Sequence, residues 1–262
     1  MKKKDVSKGG EIMAYIEYEM KTASQIAELA EKGEAIAVLP IGAIEQHGPH
    51  LPVGTDYLIS SKYARKALEK VSLQVEYLLL PPIIYGLSIE HIHFPGTITL
   101  SAETFLHMLV DIGESLLRTG IKKLVIINGH GGNNHIIQIG LRELKLKGMK
   151  SYFINTDRMM ERLGADCYSI HADKIETSVM MALYPENVEE SMITPDLDKS
   201  MECWDKILDN RGDVIETWLT KDFAVDGVIG NPFEASQEFG EEWIDGMVEQ
   251  ISTALELVAK AE

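Results

Sequence analysis

The sequence predicts an α/β fold in three layers, a mostly parallel central sheet covered by helices on both faces. Two observations carry this. Four short apolar runs, "AIAVLPIG" (35–42), "VEYLLLPP" (75–82), "KKLVIING" (122–129) and "KSYFINTD" (150–157), end in turn-forming residues. Their hydrophobics are continuous rather than alternating, which suits strands buried on both faces. Helical patterns lie between them, roughly at 22–32, 57–71, 101–119, 133–147 and 175–183, with another near 239–260. Strand alternating with helix is the pattern of a parallel sheet.

From the N-terminus, "MKKKDVSKGGEIMAY" begins basic as a signal peptide does, but polar residues and two glycines stand where its apolar segment would be. Residues 1–14 therefore read as a disordered lead-in, with Met13 as an alternative start. Residues 15–262 read as one domain, a length that single α/β domains often reach. In open parallel sheets ligands bind beyond the carboxyl ends of the strands. The segments there are "GAIEQHGPH" after the first strand, "IIYGLSIEHIHFPGT" after the second, "NGHGGNN" after the third and "HADKIETS" beyond the fourth. Seven of the eight histidines lie in or directly beside them, while His107 sits in a plain helical pattern. The polar chemistry gathers at one edge. Residues 186–222 are too mixed to assign beyond helix and loop, and "DGVIGNPFEASQEFG" (226–240) is a Gly/Pro loop running into the last helix.

The formal charge of −16, from 41 acids against 25 Lys and Arg, repels nucleic acid and anionic lipid. Bound divalent cations would offset part of it, and a small molecule is the expected partner. Cys167 and Cys203 form no CxxC or CxxxC pair, which argues against a disulfide framework and a thiolate zinc site and makes a reducing cytoplasm the default location. No apolar run reaches the length of about 18 residues that a membrane span needs.

"PIGAIEQHGPHLPVGTD", Pro40 to Asp56, packs one Glu, two His and one Asp into 17 residues. Glu45 and His47 are two apart, so on extended backbone they point to the same side. Asp56 falls at the start of a helix, where Thr55 can cap and a carboxylate is favoured by the dipole. Carboxylate oxygens mixed with imidazole favour a catalytic Zn²⁺, Mn²⁺ or Fe²⁺ over a structural zinc; a solvated acidic loop is the competing reading. His130 follows a buried strand between Gly129, Gly131 and Gly132, which let backbone approach a ligand closely. A phosphate loop competes here, but GxxxxGK[ST] and GxGxxG are both absent. His171 precedes a helix that carries Glu176 in its first turns, and taken alone it reads as a hydrogen-bonded structural imidazole. Ser88, Glu90 and His91 precede a Phe-Pro-Gly turn that suggests a rigid pocket wall, whereas His93 and His135 read as ordinary loop residues.

Together these pieces resemble the creatininase (creatinine amidohydrolase) family: "LPIGAIEQHGPHLPVGTD", "YGLSIEHIHFPGTITLS", "INGHGGNN", "HADKIETS" and "GVIGNPFEAS" occur in family order over roughly residues 35–240. The resemblance implies a three-layer α/β/α creatininase-like fold and a homo-oligomer, usually a hexamer. It also implies two divalent metal ions per chain, Zn²⁺ first with Mn²⁺ or Fe²⁺ as alternatives. The implied reaction is cleavage of a C–N bond in a small linear or cyclic amide by a hydroxide that bridges the ions. Carried over by position, Glu45, His47, Asp56 and His130 are metal ligands, with Asp56 bridging. Creatinine-hydrolysing members have a further ligand, a Glu two residues after the match to His130, where this chain has Gly132. HGGN-type members, among them formamide deformylases and the mycofactocin-maturation peptidase, use the Glu of "ETS", here Glu176, which thereby becomes the fifth ligand and a catalytic residue. His171 matches the family's active-site His and would deliver a proton to the leaving nitrogen. Ser88, Glu90, His91, Gly131, Asn133 and Tyr168 are the candidate substrate-facing or supporting residues. The stretch "CYSIH" lacks the aromatic-acidic pair of creatinine-hydrolysing members, so formamide cleavage, opening of a cyclic ketone, or ligand binding without catalysis are the alternatives to hydrolysis of a creatinine-like amide.

Overall fold

The computed structural model describes residues 15–71, 75–165, 169–193, 217–222 and 224–261. The lead-in 1–14, Tyr168 and residues 194–216 of the unassigned stretch lie outside them. Five strands form one sheet: β1 (Ile16–Glu17), β2 (Ile36–Ile41), β3 (Tyr77–Leu79), β4 (Lys123–Asn128) and β5 (Lys150–Ile154). Their order is β1-β3-β2-β4-β5 and every pairing is parallel. The helices among the described residues are α1 (Ala23–Glu31), α2 (Thr55–Lys70), α3 (Ala102–Thr119), α4 (Asn134–Leu146), α5 (Thr156–Arg162), α6 (Lys174–Leu183) and α7 (Gln237–Lys260).

The continuous hydrophobicity of the strands has its cause in this layering. All six residues of β2 are buried, because successive side chains enter opposite layers. Ile36 and Val38, with Val125 and Ile127 of β4, pack among α2, α5, α6 and α7. Ala37 and Leu39, with Leu124 and Ile126, pack among α1, α3 and α4. The chain leaves β2 towards the first layer and β4 towards the second. The carboxyl ends of these neighbouring strands therefore frame the crevice in which such sheets hold ligands. On the first layer α6 and α7 approach closely: a Cβ on Gly240 would lie 2.0 Å from the main-chain oxygen of Ser178, so only glycine permits the contact.

The structure departs from the sequence expectation at three places. A two-residue edge strand, β1, precedes α1. The run 150–157 stops as a strand at Ile154, because the Asn155 side chain accepts from the Arg158 N–H and starts α5. Thr55 does not cap α2; it is the first helical residue, the N-cap is Gly54, and its hydroxyl donates to the Pro52 carbonyl at 2.7 Å. The turn before it closes through the main chain, with the Thr55 N–H donating to the Pro52 carbonyl at 3.1 Å, which places Thr55 inside the helix and not at its cap. Among the described residues no helix is long and apolar enough to cross a membrane.

Candidate metal centre

Three chain segments deliver carboxylates and imidazoles to the carboxyl ends of β2 and β4. The turn after β2 carries Glu45 and His47, both fully buried, and runs into α2, whose first turn holds Asp56. The Gly-rich turn after β4 carries His130. The loop before α6 carries His171, and the first turn of α6 carries Glu176. His171 is pinned by two main-chain hydrogen bonds with Ile229, each 2.9 Å. Ala172, the one non-glycine with positive φ (52°) among the described residues, turns its N–H to donate to Glu176 Oε2 at 2.6 Å. Backbone held in that region against its preference is a mark of functional sites.

The decisive geometry is a convergence of lone pairs. His47 Nδ1 donates to the Glu45 main-chain oxygen at 3.1 Å, so its Nε2 presents a lone pair, 3.1 Å from Asp56 Oδ1 and 3.6 Å from Glu176 Oε2. His130 Nε2 donates to the Leu87 carbonyl at 2.9 Å, so its Nδ1 faces Asp56 Oδ2 at 3.4 Å. Both oxygens of Glu45 and Oδ2 of Asp56 are buried without a hydrogen-bond partner. Buried carboxylate oxygens are almost always satisfied, and the acceptor pairs that Asp56 makes with His47 Nε2 and His130 Nδ1 fit a cation between them, while Glu45 Oε2 lies 3.3 Å from His130 Nε2. Two compatible ligand groups result, Glu45–Asp56–His130 and His47–Asp56–Glu176, with Asp56 in both; a third, Glu45–His47–His171, overlaps them.

The electrostatics agree. Burial, with the Glu45 charge beside it, pushes Asp56 up to about 7. Burial would lower His130, but Glu45, Asp56 and Glu90 outweigh it and raise it to about 10. Burial would likewise raise Glu176, yet His47, His171 and the Ala172 N–H hold it at about 2. Without metal ions, protons supply the positive charge the cluster demands. His171 behaves oppositely: burial and then the neighbouring His47 and His91 keep it neutral.

The remaining candidates divide by position. Ser88 is fully buried, with Oγ 3.5 Å from His130 Nε2. Glu90 Oε1 lies 3.5 Å from the same nitrogen, and His91 Nε2 lies 3.4 Å from Glu45 Oε1. Asn133 is buried as a strut, donating to the Gly42 carbonyl and accepting from the Leu87 N–H. Gly131 is exposed, with nothing near its Cβ position. His93 and His135 are exposed. Gly132 has no room for a side chain: a Cβ there would lie 2.5 Å from His130 Nε2 and 2.6 Å from the Leu87 carbonyl. Sequence reasoning passed over Gln46, buried between Glu45 and His47, and Asp173, which caps α6 by accepting from Ile175 and Glu176 N–H. The S/T/D/N cap pattern before "KIETS" is the signal that could have found Asp173.

A family model described as creatinine amidohydrolase matches residues 19–255. The mycofactocin precursor peptide peptidase of Mycobacterium ulcerans is 36% identical over 156 residues, 58% of this chain and 59% of that protein. The creatinine amidohydrolase of Pseudomonas putida is 29% identical over 199 residues, 68% and 72% of the two chains. The 3-dehydro-scyllo-inosose hydrolase of Thermotoga maritima is 31% identical over 181 residues, 64% and 56%. The match thus spans about three fifths of the length of the mycofactocin relatives. A crystal structure of creatininase superposes with a TM-score of 0.76 at 23% identity, covering 95% of this chain and 99% of that one, which shows a shared fold. With the family model covering nearly the whole described chain, this protein belongs to the creatininase, or creatinine amidohydrolase, family.

Proposed function

We propose that the protein is a dinuclear metal-dependent hydrolase that cleaves a C–N bond of a small linear or cyclic amide. One observation carries this: the two oxygens of Asp56 face different histidines, Oδ1 towards His47 Nε2 at 3.1 Å and Oδ2 towards His130 Nδ1 at 3.4 Å. A carboxylate so placed suits two ions, one with Glu45 and His130, the other with His47 and Glu176. Two divalent ions there would supply Lewis-acid activation of water and of the amide carbonyl.

The chain's own residues then manage the protons. His171 is neutral and holds Nδ1 3.6 Å from Glu45 Oε1. As water adds to the carbonyl carbon, Nδ1 takes its proton. It passes the same proton to the nitrogen as the C–N bond breaks, so that acid and amine leave in balance. His171 thus acts as base before it acts as acid. Burial of Glu45, His47 and Asp56 keeps bulk water from screening these charges.

The closed position at Gly132 favours the HGGN-type pattern over the creatinine-hydrolysing one, and so a formamide or another amide in place of creatinine. Zn²⁺ is the first choice of metal, and a homo-hexamer in the cytoplasm is the proposed working form, to be checked by light scattering and fractionation. The central test combines elemental analysis with hydrolysis of a panel of lactams, formamides and peptide amides. Close to two ions per chain and chelator-sensitive hydrolysis are expected; one ion at most, or no hydrolysis when loaded, overturns the proposal. His171→Ala should keep its metal and lose about 10²–10⁴ in rate.

A further inference from the structure

Gln46 lies between Glu45 and His47, and its buried side chain joins four other groups. Gly48 N–H donates to Gln46 Oε1 at 2.9 Å, which fixes the orientation of the amide. The other end, Nε2, therefore faces the Gly227 carbonyl at 2.9 Å, His91 Nδ1 at 2.9 Å and His171 Nε2 at 3.0 Å. An amide nitrogen has two hydrogens for these three neighbours. Gly227 closes the back of the amide: a Cβ there would lie 2.0 Å from Gln46 Oε1.

The shortest contact settles how the hydrogens are shared. His171 Nε2 is 2.6 Å from the main-chain oxygen of Gln46. Two lone pairs do not meet at that distance, so Nε2 carries the proton and donates to the carbonyl. Being protonated, it cannot accept from Gln46 Nε2. The amide hydrogens go to the Gly227 carbonyl and to His91 Nδ1, and His91 keeps its own proton on Nε2, 3.4 Å from Glu45 Oε1. Thr220 Oγ1 also stands 2.9 Å from His91 Nδ1, but a hydroxyl accommodates either tautomer and a donor-only amide nitrogen accommodates one.

We infer that Gln46 is a positioning residue that sets the tautomers of both histidines: its side-chain amide holds His91 as the Nε2–H form, and its main-chain carbonyl holds His171 as the Nε2–H form. Nδ1 of His171 is thereby left as the lone pair offered to the carboxylate cluster, and His91 turns its Nε2–H towards Glu45 Oε1, 3.4 Å away. The purpose of the arrangement rests on the hydrolase reading above; the tautomers do not. Gln46→Glu keeps the shape but replaces the donor at Nε2 by an acceptor. It should convert His91 to the Nδ1–H form and leave His171 unchanged, since a main-chain oxygen holds it. With the proton on the His91 nitrogen that faces Glu45 disturbed, Zn²⁺ affinity should fall about 10–100-fold, the usual effect of a residue that orients a ligand.

The test is ¹⁵N NMR of histidine-labelled protein, recorded before and after Zn²⁺ loading, with His91 and His171 assigned from single-site variants. In the native sequence both should show protonated Nε2 and unprotonated Nδ1, and Gln46→Glu should move His91 alone. A native His171 protonated on Nδ1, or a His91 signal unmoved by Gln46→Glu, overturns the inference. If Gln46→Glu does not fold, the native tautomers decide, with Gln46→Met as the second variant, in which His91 should become a mixture of tautomers. Failure of the metal reading would appear separately, as His47 and His130 signals indifferent to Zn²⁺.

Discussion

Each oxygen of Asp56 has a different imidazole nitrogen opposite it, and each nitrogen has had its other side fixed by a main-chain carbonyl, that of Glu45 for His47 and that of Leu87 for His130. The direction in which each imidazole presents its other nitrogen is thus set by backbone. Glu176→Gln removes a charge at unchanged size, so one ion should be lost or bound at least about tenfold more weakly. Metal titration into the apo protein measures this; unchanged affinity removes Glu176 from the site. Gly132→Ala should cost about 1–3 kcal/mol in denaturant unfolding, because its Cβ would collide with His130 and the Leu87 carbonyl. Gly131→Ala, whose Cβ meets nothing within 4 Å, is the control and should be near neutral. The same crowding means that a Glu at 132 cannot be seated without displacing His130 or the Leu87 carbonyl.

At the scale of an element, α6 concentrates the compromise. Its first turn carries Glu176, and its cap, Asp173, accepts from Ile175 N–H at 2.9 Å and Glu176 N–H at 3.1 Å. A helix N-terminus favours a charged cap, but burial, with Glu176 beside it, pushes Asp173 up to about 7. From about pH 4 to pH 7 the unfolded chain has released this proton and the folded metal-free protein still holds it. The folded state binds more protons there, so this contribution to stability declines as pH rises through that window and levels off above it. Asp173→Asn can still cap and does not titrate. The stability difference should therefore shift in favour of the variant between pH 4 and pH 7, as read from urea unfolding of metal-free proteins at both pH values. A constant difference would show that Asp173 is ionised throughout.

For the whole molecule, a formal charge of −16 and a buried carboxylate cluster act in the same direction, and bound divalent cations would relieve both. Ligands that bind only the folded state stabilise it by mass action, about 2.7 kcal/mol at a hundredfold excess over Kd. Zn²⁺ should therefore raise the melting temperature by several degrees, in a concentration-dependent way, and chelator should reverse the shift. Calorimetry with and without chelator checks this. A melting temperature indifferent to metal would mean that protons alone balance the cluster.

The layered α/β fold was legible because its causes are local in sequence: runs such as "KKLVIING" are apolar at every position only where both faces are covered. The histidine-bearing loops were legible for a similar reason, since a strand's carboxyl end and its following turn are adjacent in the chain. Short pieces were not. β1 has two residues and no periodicity to read, and α5 begins inside an apolar run because Asn155 caps it. Thr55 looked like a cap, and only the path of the preceding turn made Gly54 the cap instead. What the sequence determined by itself is therefore composition, layering and which residue types meet at one sheet edge. Only the tertiary structure decided that Asp56 faces two histidines at once, that Gly132 is closed to a side chain, and that Gln46 stands between His91 and His171. Those are relations between segments up to 181 residues apart, as in the bond from Gln46 to Gly227, and they are fixed by lone-pair direction and packing distance, which no linear pattern of residue types records.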